Sequence, residues 1–123
     1  MKIEVSNGEL IDKLTILEIK SLRISDSLKS QNIIKELNIV KESAQEILND
    51  IPEVYIKLKE VNVSLWEIED QIRSYERLKD FGGGFIETAR SVYKLNDVRA
   101  ALKKEINIIT NSGLSEEKSY DQY

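Results

Sequence analysis

Apolar positions recur every three to four residues along most of the chain, the period of a helix with one buried face. Leu10, Ile11, Leu14, Leu17, Leu22 and Leu28 make one broad stripe and predict a first helix over about 8–28. Ile33, Ile34, Leu37, Val40, Ala44, Ile47 and Leu48 predict a second over about 31–49. Val54, Leu58, Val61, Leu65, Ile68, Ile72 and Tyr75 predict a third over about 53–78, and Phe85, Ala89, Val92, Leu102 and Ile106 a fourth over about 85–110. Ile3 and Val5 alternate ahead of the first helix, as in a short extended arm turned inward.

The punctuation agrees with this division. Ser6-Asn7-Gly8-Glu9 has the form of a capping box, with Ser6 accepting from the Glu9 amide and Glu9 reaching back. Pro52 suits the first turn of the third helix. Gly82-Gly83-Gly84 marks a turn that folds the third and fourth helices into an antiparallel hairpin. Asn111-Ser112-Gly113 supplies a stop, and the polar tail beyond it carries Leu114, Tyr120 and Tyr123 as anchors. The expected fold is all-α: a four-helix bundle or paired antiparallel helical hairpins with a short extended N-terminal arm, in one domain spanning 1–123.

Placing each residue on a helical wheel at 100° per step brings out charges on faces that should be dry. In the third helix Glu69 and Glu76 fall inside the apolar arc, with Asn62, Arg73 and Trp66 at or near its edge. In the fourth, Asn96, Arg99 and Lys103 fall among Phe85, Val92 and Ile106. In the first, Glu18 lies between Ile11 and Leu22, while the second helix has nothing comparable. Pairing the hairpin about its glycines sets Glu69 opposite Asn96, Trp66 near Arg99 and Asn62 near Lys103. Such a cluster is a candidate ligand site, because buried charge is costly. The plainer alternatives are snorkelling side chains, an ion-pair network that sets helix register, or an oligomer interface.

Composition narrows the chemistry. The chain has no cysteine and no histidine, which excludes disulfides, thiolate zinc sites and imidazole bases. A metal would have to be a hard, oxygen-bound ion such as Mg2+. Glu67, Glu69 and Asp70 contain a Glu-x-x-Asp pair of the kind that holds magnesium in all-helical nucleotide pyrophosphatases, but no matching Glu-x-x-Glu follows on another helix. The glycine turn lacks the Lys-Ser or Lys-Thr of a P-loop. With 18 basic and 22 acidic residues the net charge is −4, so nucleic acid is not the expected partner. No apolar run would span a bilayer and the start lacks an apolar leader, so the expected location is the cytoplasm. Ile16, Ile19, Ile86, Val98 and Ile108 fall outside the main stripes and point to a homo-oligomer. Arg90, Tyr93, Asp97 and Lys104 line a separate face of the fourth helix, solvated or in contact with a partner.

Asn7 to Leu17, Leu65 to Asp70, Phe85 to Tyr93, Asn96 to Asn107 and Glu116 to Tyr120 together resemble an uncharacterised bacterial and phage family, filed as domain of unknown function 6165. The resemblance implies no known activity. Relatives that accompany glycosyltransferase-like genes would hint at sugar or surface-polymer work.

The resulting expectation is a non-catalytic helical module without a cofactor. It binds a small anionic ligand, of nucleotide or sugar-nucleotide type, or a protein partner through Glu18, Asn62, Trp66, Glu69, Arg73, Asn96, Arg99 and Lys103. A magnesium-dependent nucleotide hydrolase and a purely structural adaptor are the alternatives.

Overall fold

The computed structural model describes residues 1–123 as four helices and no strand. They are α1 (Asn7–Arg23), α2 (Ser27–Leu48), α3 (Pro52–Leu78) and α4 (Gly83–Ile109). The arm before α1 is irregular, and Ile3 and Val5 lie exposed rather than inward.

The break between α1 and α2 comes earlier than periodicity suggested. Ile24 is extended at φ −102° and ψ 120°, and Asp26 caps α2 by accepting the Lys29 amide at 3.0 Å. Aspartate gains more as an N-cap than inside a helix, and this local preference outweighs the apolar pattern. Leu28 therefore opens α2 and is exposed, and Leu22 near the end of α1 is 82% exposed.

The α3–α4 turn also departs from expectation. The left-handed residue is Lys79, at φ 54°, and the Asp80 amide closes the helix end on the Tyr75 carbonyl at 3.0 Å. No glycine has positive φ. Gly84 instead provides clearance: a Cβ there would lie 2.3 Å from the Tyr75 hydroxyl. α4 consequently begins within the glycine triplet, at Gly83.

α1 is the central element, packed against all three others, whereas α2 packs chiefly on α1. Ile11, Leu14 and Leu17 of α1 meet Val40 and Ala44 of α2, Val54 and Leu58 of α3, and Leu102 and Ile106 of α4, with Ile51 closing the end. This core occupies one end of the hairpin. Past Asn62 on α3, and before Leu102 on α4, no residue is fully buried. From about Ile68 out to the turn no other helix lies across α3 and α4, and only the C-terminal tail reaches them, at Val92, Tyr93 and Asn96. Ile68, Ile72, Val92 and Leu95, all on or beside the predicted stripes, are only half-buried there. Three rings close the tip, with Phe85 edge-on to Phe81 at 5.3 Å and to Tyr75 at 6.4 Å.

Candidate functional site

The polar cluster joins α1, α3 and α4 around Asp12, whose residue surface is 1% exposed. Its Oδ1 accepts from Arg99 Nε at 2.9 Å and from Asn62 Nδ2 at 2.9 Å. Its Oδ2 accepts from Arg99 Nη2 at 2.5 Å, so the guanidinium grips the carboxylate with two donors. Asn62 Nδ2 also donates to Thr15 Oγ1 at 2.8 Å, and that hydroxyl donates to the Asp12 carbonyl at 2.8 Å. The Arg99 pKa is held above its ordinary value, first by the hydrogen bond to Asp12; partial burial acts in the opposite direction.

Further rungs climb the α1–α4 seam, the two helices running antiparallel. Lys103 Nζ donates to Glu9 Oε2 at 2.6 Å. One turn on, Asn107 Oδ1 accepts the Gly8 amide at 2.6 Å. Ser112 Oγ accepts the Asn7 amide at 3.0 Å, and Asn7 Nδ2 donates to Thr110 Oγ1 at 2.9 Å. Ser6 Oγ accepts the Glu9 amide at 3.0 Å, as the capping box required. The reciprocal half of that box is not made, because the Glu9 carboxylate is engaged by Lys103. The first-turn amides of α1, normally orphaned, thus find acceptors, two of them from the far end of the chain.

Gly8 is what allows the approach. A Cβ there would stand 2.3 Å from the Lys103 carbonyl oxygen and 3.0 Å from Asn107 Oδ1. The seam extends into the tail, where Ser6 Oγ donates to Glu116 Oε1 at 2.5 Å. That bond is the main reason the Glu116 carboxyl is held below its ordinary range; partial burial opposes it, and Lys103 and Asn107 assist.

The structure brings together three of the expected residues, Asn62, Arg99 and Lys103, but with partners on α1. Arg99 meets Asp12 and not Glu69 or the Trp66 ring; Lys103 meets Glu9 and not Asn62. Glu69 is exposed and pairs with Arg73 one turn along its own helix at 2.8 Å. Both lie beyond the part of the hairpin that α1 covers, so the wheel's dry arc is wet at that level. Trp66 is half-buried, and the cations near rings are Lys59 at Tyr55 and Lys118 at Tyr120. Asn96 lines a hollow of about 540 Å³ beneath the C-terminal tail. Glu18 belongs to a separate group, accepting from the Tyr55 hydroxyl at 2.5 Å with Lys59 Nζ 3.6 Å away. Burial, then Glu18, pushes the Tyr55 phenol above the ordinary tyrosine range.

Glu67 faces Arg23 at 3.4 Å, and no three acidic side chains converge as they would around a metal ion. Of the residues read as outside the stripes, Ile19 is buried within the chain, whereas Ile86, Val98 and Ile108 are exposed. No helix is long and apolar enough to cross a membrane.

Asp12 and Thr15 escaped the wheel because they lie beside the apolar arc of α1; Asn107 was passed over although it shares the wheel position of Ala89 in the α4 stripe. A signal for the first two was present: Gly8, Asp12, Thr15 and Ile19 recur at helical spacing, and all four are buried. Through Gly8, Asp12 and Thr15 this second stripe meets α4 and α3.

A family model described as "Family of unknown function (DUF6165)" matches residues 1–123. The chain belongs to this family. It matches no curated protein and no solved structure. In this DUF6165 member, the seam residues Gly8, Glu9, Asp12, Arg99, Lys103, Asn107 and Glu116 all fall within the stretches that carried the resemblance; Ser6, Asn62, Thr110 and Ser112 fall outside them.

Proposed function

We propose that this DUF6165 member is a non-catalytic helical interaction module. The cluster on α1, α3 and α4 holds the fold, and the outer α3–α4 arm binds a protein helix, in the first instance that of a second copy. The observation that carries this reading is a contrast in satisfaction. Arg99 and Lys103 are already neutralised by Asp12 and Glu9, and no buried side-chain polar atom lacks a partner. A small anion would have to displace a carboxylate from each cation before it could bind. The arm, by contrast, is incomplete. A helix stabilises by burying its apolar stripe against other elements, and two helices alone leave one side of that stripe open. Ile68, Ile72, Val92 and Leu95 are half-covered, with Leu78, Phe81 and Ile86 exposed about them. Two such arms packed antiparallel make a four-helix bundle, which covers the half-buried stripe.

Sedimentation of the wild type and of the Ile72→Glu, Leu78→Glu double variant tests the proposal. The expected result is a wild-type dimer at micromolar concentration and a variant monomer with unchanged helical content. A wild-type monomer throughout, together with a rise in melting temperature on adding nucleotides or sugar nucleotides, would favour the anionic-ligand reading instead.

A further inference from the structure

The C-terminal tail is irregular, yet its side chains meet α4 in order. Glu117 lies 3.6 Å from Lys104, Lys118 lies 3.8 Å from Asp97, and the Tyr123 ring stands edge-on to Tyr93 at 5.1 Å. The tail therefore runs antiparallel to α4. The lengths agree: six residue steps of extended chain from Glu117 to Tyr123 reach about 20 Å, and eleven helical steps from Lys104 to Tyr93 rise about 17 Å. Tyr93, Asp97, Ala100 and Lys104 recur at helical spacing, so the tail follows one face of the helix. It roofs a hollow of about 280 Å³ lined by Ala100, Lys103, Lys104 and Asn107 of α4, and a second over Asn96.

The face thus presents lysines, then an aspartate, then a tyrosine ring, and the tail answers with acid, base and ring in the same order. Beyond the Ser6–Glu116 bond at its start, the individual attachments of the tail are weak. The ion pairs are exposed, a class that contributes little each, and every residue from Gly113 onward is exposed. A segment that is matched in register but loosely held can be replaced by another of the same chemistry.

We propose that this face of α4 is a docking groove for an extended, acidic, tyrosine-bearing peptide of a partner protein, and that the chain's own tail is a resident competitor which the partner displaces. The groove borders the α3–α4 arm stripe at Val92, but the charged residues that meet the tail, Asp97 and Lys104, lie off that stripe, so the inference does not rest on self-association through the arm. A short tether holds the tail at an effective concentration on the order of millimolar, so an incoming peptide must outcompete it.

The experiment uses the full chain and a labelled peptide with the sequence of residues 114–123, followed by fluorescence polarisation. A variant with Glu116→Gln, Glu117→Gln and Tyr123→Ala weakens the resident tail. It should bind the peptide at least about ten-fold more tightly than the wild type does. Adding Lys104→Glu to that variant should abolish the gain, and a peptide carrying Glu117→Lys should restore it. Equal binding by wild type and tail variant, or no binding by either, overturns the proposal. So does a wild-type dimer that the tail substitutions dissociate, since the occupant would then be the tail of a second copy. Dimerisation through the arm is told apart by its loss in the Ile72→Glu, Leu78→Glu variant and its survival in the tail variant.

Discussion

Replacing Arg99 by methionine takes both guanidinium donors from a carboxylate that has no access to water. Asp12 Oδ2 then has no partner, and Oδ1 keeps only Asn62. Leaving a buried charge without its counter-ion costs about 3–5 kcal/mol, whereas replacing a whole buried pair by apolar groups of similar volume is often nearly neutral. The upper part of that range applies here, since the Asp12 side chain is 2% exposed. Unfolding entropy of roughly 2 cal/mol/K per residue, over 123 residues, converts 4 kcal/mol into a fall in melting temperature of about 15 °C. Asp12→Leu combined with Arg99→Met should recover most of this, because Asn62 keeps Thr15 as an acceptor. Melting and urea unfolding of both singles and the double, followed by far-UV circular dichroism, measure the coupling. An Arg99→Met variant that loses less than about 1 kcal/mol would refute the reasoning, because the measured penalty for an orphaned buried charge is several-fold larger.

Gly8→Ala gains helix propensity, worth about 1 kcal/mol, yet should destabilise the protein, because the new methyl meets the backbone of α4. A higher melting temperature would show that α1 and α4 separate at little cost. Glu69→Gln should change stability by less than about 0.5 kcal/mol, as expected for an exposed pair one helical turn apart; a larger loss in urea titration would return Glu69 to the site. The Glu116 carboxyl is depressed from 4.5, so its bond to Ser6 contributes fully above that pH and is lost as pH falls through the lower, folded-state value. The Tyr123 ring resonances in NMR should shift toward free-chain positions on that acid side, and no movement there would count against a tail anchored by Glu116.

The helical character of the chain was legible because each element carries its own periodicity, and the ends of α3 and α4 fell within two residues of expectation. The α1–α2 break was not, since Asp26 decides it through one capping bond that an apolar stripe cannot reveal. Arg99, Lys103 and Asn62 were legible as misplaced polar groups. Their partners were not, because a wheel treats one helix at a time, and hairpin symmetry pairs only neighbours in sequence. Asp12 is 87 positions from Arg99 and sits on a helix outside the hairpin. Glu69 misled for a related reason: an apolar arc is dry only where a third helix lies across it, and α1 stops short.

The seam between α1 and the end of α4 has a consequence for synthesis. The acceptors for the Asn7 and Gly8 amides are Ser112 and Asn107, about a hundred residues downstream. Closing a loop of that length costs entropy that only the finished contacts repay. A ribosome releases α1 about a hundred residues before its caps. The first helix therefore waits, with its leading turn unfinished, until α4 and the turn after it have emerged.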